Sequence, residues 1–219
     1  MNEGNGSGMT RKSLSEGWNT PANLVTYARI ILVVVFIVLT VVAGPMGRDD
    51  LTLRWVAAVL FIVAASTDKI DGYLARSRNE VTELGKLMDP IADKLLMCSA
   101  LIVFSAFGEF AFAWVITVLF LVREVGITVM RFFVMERPGG KVIAAAWPGK
   151  LKTVFQSIAL SMYMLPVWSL ADVIAPGVDW TFWYYGLSYV MLLVALVLCL
   201  YSGGVYLYNT FGAPKGHAR

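Results

Sequence analysis

Charge is scarce in this chain. Asp, Glu, Lys and Arg make up 15% of its 219 residues, where an ordinary soluble domain carries roughly 25%. A chain so poor in charge and 58% hydrophobic is an integral membrane protein rather than a soluble globule with an outsized core. Cysteine is nearly absent too. Cys98 and Cys199 both fall in apolar stretches, which points to buried free thiols and away from a disulfide. No zinc-ligand spacing, P-loop or dinucleotide-binding glycine pattern occurs, which removes the common metal-finger and nucleotide-fold classes. Residues 1–18 are polar and rich in Gly and Ser, without the apolar stretch of a signal peptide. The net charge of +3 suits an anionic membrane surface and calls for no nucleic-acid partner.

Long apolar runs are what the chain has instead. A helix needs about 20 apolar residues to span a bilayer, and six candidates lie near 23–43, 52–74, 88–107, 111–134, 153–174 and 181–208. The expected fold is therefore all-α: a polytopic membrane protein with six transmembrane helices. A cytoplasmic N-terminal segment (1–18) would precede one membrane domain (19–210), with a cytoplasmic tail (211–219) after it. Six spans place both termini on one side, together with the 75–87 and 135–152 loops. Those segments hold Arg11, Lys12, Arg76, Arg78, Lys86, Arg137, Lys141, Lys150, Lys152, Lys215 and Arg219, whereas the opposite loops hold only Arg48 and Arg54. The positive-inside rule then puts the termini on the cytoplasmic face of the cell membrane. The aromatic stretch Trp180–Tyr185 reads as an interfacial belt.

Four aspartates break the apolar pattern: Asp68, Asp71, Asp89 and Asp93. A carboxylate at membrane depth costs at least ~2.5–3.5 kcal/mol, so four close together need positive charge to hold them. Asp68 and Asp71 are three residues apart near the end of the second span, and Asp89 and Asp93 four apart at the start of the third. On helices, each spacing puts the pair on one face. A short connection between the spans would turn the two faces toward each other, as a four-carboxylate cup on the cytoplasmic side. Oxygen-only ligands suit a hard cation, Mg²⁺ or Mn²⁺, and four carboxylates make two ions plausible, as in two-metal phosphoryl chemistry. Gly72 and Ala75 leave room for a ligand, and Arg76 can fork onto a phosphate. A salt-bridged packing feature would explain one aspartate pair but not two facing pairs. The neighbouring Lys69 and Lys94 lie about 100° around their helices from the adjacent acids and read as surface or interface residues.

The string Asp68-x2-Asp71-Gly72-x2-Ala75-Arg76-x8-Gly85-x3-Asp89-x3-Asp93 matches the signature of the CDP-alcohol phosphotransferases, and the chain resembles that family over about residues 19–210. The resemblance implies an enzyme that joins a CDP-activated alcohol to a second alcohol with release of CMP. It implies that Asp68 and Asp89 bridge two metals, that Asp71 completes the first and Asp93 the second, and that Asp93 is the general base. Gly72, Ala75, Arg76 and Thr82, with Asp68, would hold the CDP part of CDP-diacylglycerol. The segment bearing Asn23 and Thr26 resembles one that closes over the nucleotide; equally, it reads as a capped helix start with Pro21 in the first turn.

A second pattern resembles the bacterial phosphatidylglycerophosphate synthase branch: Arg123-Glu124, then Arg131, then Gly149-Lys150-Leu-Lys152-Thr153 with Gln156. It implies glycerol 3-phosphate as acceptor, its phosphate held by Arg123, Arg131, Lys150 and Lys152, with Glu124 pairing one of these bases. Lys150 and Lys152 also fit a helix end anchored to lipid headgroups. The family resemblance further implies a homodimer in contact with membrane lipids. Inositol phosphate or phosphatidylglycerol as acceptor would use the same chemistry. A divalent-cation transporter is the rival from another class, since ion pathways also need intramembrane acids.

Overall fold

A chain surrounded by lipid must satisfy its backbone hydrogen bonds within itself, and a helix does so locally. A computed structural model of the chain describes residues 21–78, 83–135, 147–174 and 177–212; the side chains of 21–26, 67–78, 83–93, 131–135, 172 and 211–212 lie outside that description. Among the described residues there are helices and no strands. The long ones are α1 (Pro21–Ala43), α2 (Leu51–Arg78), α3 (Glu83–Ala106), α4 (Ala113–Met135), α5 (Trp147–Met164) and α7 (Trp180–Leu207), with a single turn, α6 (Ala171–Ile174), before the last. Pro21 begins α1, where its missing N–H is no loss. Asp50 caps α2 by accepting the Leu53 N–H at 2.9 Å.

The fifth apolar run departs from expectation. The sequence suggested a span to residue 174, but α5 stops at Met164, and a short 3-10 turn (Val167–Leu170) follows. Pro166 has no N–H to continue the ladder, so the segment leaves the helix there and re-forms as α6.

The helices form one bundle. α5 and α7 make the most intimate pair, α1 lies across α2 and α3, α4 bridges α3 and α7, and α5 also touches α2 and α3. The core holds Phe36, Phe61, Leu101, Phe104, Phe120, Leu160, Met164 and Leu192, all essentially inaccessible. The outside is as apolar as the inside: Val34, Val38 and Val42 on α1, Val59 and Val63 on α2, Val122 on α4 and Val197 on α7 are all at least half exposed. Polar side chains are turned inward instead, including Thr40, Arg54, Thr117, Glu124, Lys152 and Ser188. An exposed apolar surface of this extent marks contact with lipid. Among the described residues, α4 and α7 each contain a stretch long and apolar enough to cross a membrane, Ala113–Met130 and Trp180–Thr210.

Lipid removes the hydrophobic drive between helices, so packing and interhelical hydrogen bonds must hold them together. Ser105 and Thr117 join α3 to α4 at 2.7 Å. Tyr184 and Tyr185 donate to the carbonyls of Met162 and Leu165, joining α7 to the end of α5.

The strongest tie lies at the end of the bundle away from the aspartates. Arg54, one turn into α2, is fully buried and grips Glu109 bidentately at 2.9 and 2.7 Å. Two further N–H groups reach the carbonyls of Met164 and Tyr163, both at 3.0 Å, and its guanidinium lies over the Phe104 ring. Glu109 also accepts the Met46 N–H at 2.9 Å, and the Trp168 indole donates to the Met46 carbonyl. Gly47, at φ +75°, passes so close that a Cβ there would stand 2.6 Å from the Arg54 Cβ. Arg54, counted from sequence among the bases of the non-cytoplasmic loops, is thus a buried staple joining four segments.

Candidate active site

α2 and α3 carry the four aspartates and are in mutual contact. Only residues 79–82 separate the two helices, and both pairs lie on described helical backbone, roughly 10–15 Å along each helix from that connection at 1.5 Å per residue. The i, i+3 and i, i+4 spacings give each pair one helical face. The side chains of Asp68, Asp71, Asp89 and Asp93, and of Gly72, Ala75 and Arg76 beside them, lie outside the described residues. So do those of Asn23 and Thr26 on α1 and Arg131 on α4, and the whole of Thr82.

Midway along α3, one residue beyond Asp93, the structure describes a polar cluster. Glu124, on α4 and 8% exposed, stands at its centre. Lys152 reaches it from α5 at 2.5 Å, Arg123 from the same helix at 2.8 Å, and Lys94 from α3 at 3.9 Å. Arg123 also donates to the Cys199 carbonyl at 3.1 Å and to the Ser202 hydroxyl at 2.6 Å on α7. Gly203 makes this approach possible, because a Cβ there would lie 3.2 Å from the Arg123 Cγ. Lys94 bonds the Glu124 carbonyl and the Thr128 hydroxyl as well. One carboxylate therefore binds α3, α4 and α5 together, and α7 follows through Arg123.

The expected acceptor set divides accordingly. Arg123 and Lys152 converge on Glu124. Lys150, two residues before Lys152, is exposed in the first turn of α5. Lys94 corrects the sequence reading: it is half-buried and anchored to α4, where a surface or interface position was expected. Its reach from the residue after Asp93 to α4 had no signal in local spacing. Ser202 and Thr128 were missed for the same reason, although the small run Ser202-Gly203-Gly204 inside an apolar helix was a hint of close approach. Cys98 and Cys199 are free thiols, as expected; Cys199 is buried, whereas Cys98 is only half-buried.

Among the described residues this is a net positive cluster, next to a helix pair bearing four carboxylates. The profile of the CDP-alcohol phosphatidyltransferase family matches residues 18–205. The chain belongs to that family. It is accordingly an enzyme of a generally divalent-metal-dependent class. Over 146 residues it is 43% identical to a Mycobacterium tuberculosis protein named "probable phosphatidylglycerophosphate synthase"; the match covers 67% of this chain and 66% of that protein, just under two thirds of its length. Over 204 residues it is 35% identical to the Bacillus subtilis CDP-diacylglycerol–glycerol-3-phosphate 3-phosphatidyltransferase, covering 90% of this chain and 98% of the relative. A Mycoplasma genitalium protein of the same name is 31% identical over 196 residues, 84% of this chain and 81% of its own length.

Proposed function

We propose that the chain transfers a phosphatidyl group from CDP-diacylglycerol to sn-glycerol 3-phosphate, giving phosphatidylglycerophosphate and CMP in phospholipid synthesis. The observation that carries the chemistry is the eight-residue pattern from Asp68 to Asp93, laid across two contacting helices in a chain of this family. The names of the relatives and the buried cations on Glu124 support the phosphorylated acceptor.

The donor set fits a hard divalent cation: oxygen ligands only, paired on two helix faces. Asp68, Asp71, Asp89 and Asp93 would hold Mg²⁺ or Mn²⁺, in two sites. Ions bound there would supply electrophilic charge to the phosphates under transfer. Asn23, Thr26, Gly72, Ala75, Arg76 and Thr82 would hold the CDP moiety, Arg76 by a charge-assisted fork. Lys152 and Arg123, with Lys150 and Arg131, would orient the acceptor through its phosphate. Asp93 takes the proton from the acceptor's 1-hydroxyl. That oxygen forms a new bond to the phosphorus bearing diacylglycerol, and the bond from that phosphorus to the oxygen of CMP breaks.

In this reading residues 19–210 form the membrane domain, spanning six times. Both termini and the site face the cytoplasm, where CMP and glycerol 3-phosphate are soluble while the acyl chains stay in lipid. The enzyme would act as a homodimer.

CMP release by purified protein, given CDP-diacylglycerol, Mg²⁺ and one acceptor at a time, tests the proposal. Release with glycerol 3-phosphate, lowered at least ~10²-fold in Asp93→Asn, is the expected result. Release only with inositol phosphate or phosphatidylglycerol would overturn the acceptor. No release from folded protein, with Mg²⁺ flux in proteoliposomes, would favour a transporter.

A further inference from the structure

Among the described residues, buried polar side chains in this bundle are bonded with one exception. Thr40, Ser157, Ser188 and Ser202 donate to carbonyls of their own helices. Ser105 and Thr117 bond each other, Arg54 has the carbonyls and Glu109, and Lys152 has Glu124. Gln156, on α5, is 2% exposed, and its amide has no hydrogen-bond partner among the described residues. An amide left so is a standing loss to the fold, which a leucine or methionine of similar size would avoid. Buried polar groups without a partner call for a missing one.

The position says where the partner belongs. Gln156 follows Lys152 by one helical turn, so the two share a face. Helical side chains lean toward the N-terminal end of their helix, which lays the Gln156 amide over the turn that carries Lys152. Lys152 in turn reaches Glu124 and Arg123. The amide thus lies beside the cations expected to hold the acceptor's phosphate, one turn deeper in the bundle. A primary amide offers two donors and an acceptor, a match for a hydroxyl that must both give and take a hydrogen bond.

We infer that Gln156 is a specificity-determining residue for the acceptor: it hydrogen-bonds a hydroxyl of a small phosphorylated polyol whose phosphate lies on Lys152. The inference rests on the phosphorylated acceptor proposed above and adds the contact that recognises its carbon skeleton. A site built to bond a hydroxyl discriminates strongly, because without the ligand its own polar group stays unpaired.

Gln156→Met, which keeps length and volume, separates the two possible uses of the amide. CMP release is measured against glycerol 3-phosphate and, separately, against CDP-diacylglycerol, and thermal unfolding is followed in detergent. The expected variant shows a KM for glycerol 3-phosphate raised about 10-fold, with kcat and the KM for CDP-diacylglycerol within about twofold. It melts about 2–4 °C higher, because the orphaned amide is gone. Thermal stabilisation of the wild type by glycerol 3-phosphate is lost in the variant. An unchanged acceptor KM with a lower melting temperature would overturn the inference and assign the amide to the fold. If the wild type itself fails to use glycerol 3-phosphate, the proposed function falls instead. The same KM comparison with whichever phosphorylated polyol it does use then decides the role of Gln156, and use of an unphosphorylated acceptor alone would sink both.

Discussion

Arg54–Glu109 and the Glu124 cluster are built from the same side chains and differ in how completely they are closed. At the far end one guanidinium meets one carboxylate. Its N–H groups reach protein oxygens, and the side chains are 1% and 0% exposed. At the aspartate end Lys94, Arg123 and Lys152 surround one carboxylate, which leaves an excess of two positive charges among the described residues, with the unpartnered Gln156 one turn away. A buried ion pair repays its desolvation when geometry is good and further hydrogen bonds complete it. The first site meets that condition by itself. The second, among the described residues, is left with cations in excess of its one carboxylate. The contrast separates a closed staple from a cluster that an anion would complete under the proposed function.

Breaking the staple is expected to have the largest effect on stability. Arg54→Met would leave Glu109 buried and unpaired, lowering stability by about 3–5 kcal/mol, measured by unfolding in detergent. Arg54→Met with Glu109→Leu should recover most of that loss, since the double change removes both charges. Glu124→Gln should cost less, about 1.5–3 kcal/mol, and should differ in kind: inorganic phosphate or glycerol 3-phosphate would raise its melting temperature more than that of the wild type, because an anion can replace the missing carboxylate. The same additions should raise the melting temperature of Arg54→Met no more than that of the wild type, because its Glu124 cluster is intact. Lys94→Met is the smallest change. Its side chain is 31% exposed and its ammonium 3.9 Å from Glu124, so about 0.5–1 kcal/mol is expected. A larger loss, equal to that of Glu124→Gln, would show that Lys94 is a full member of the cluster.

Hydropathy made the helices legible. The run near 23–43 is α1, 111–134 is α4 and 181–208 is α7, each within two residues at either end. The runs at 52–74 and 88–107 clip α2 and α3, because Lys, Arg and Glu near their junction lower the hydropathy of turns that are still helical. Pro166 was visible, but its effect on α5 was read too leniently. Glu124 was legible as a partner for nearby bases because Arg123 adjoins it. Arg54 and Glu109 were not, being 55 residues apart; no periodicity within one helix can report a contact between two loops and two helices. Gln156 was visible in the pattern but without a role, since an unmet hydrogen bond exists only once the neighbours are placed.

The staple also has an electrical meaning. An energised membrane does about 2.3 kcal/mol of work on each elementary charge moved through 100 mV. A bare arginine fixed in the apolar region would feel that force whenever the voltage changed, and its helix with it. Held against Glu109 at 2.7 Å, Arg54 presents a short dipole with no net charge to displace. In the proposed orientation the surplus positive charge lies at the other end of the bundle, toward the negative side of the potential. Changes in voltage therefore do little work on the far end of the bundle, while the resting field favours the inward placement of its cations.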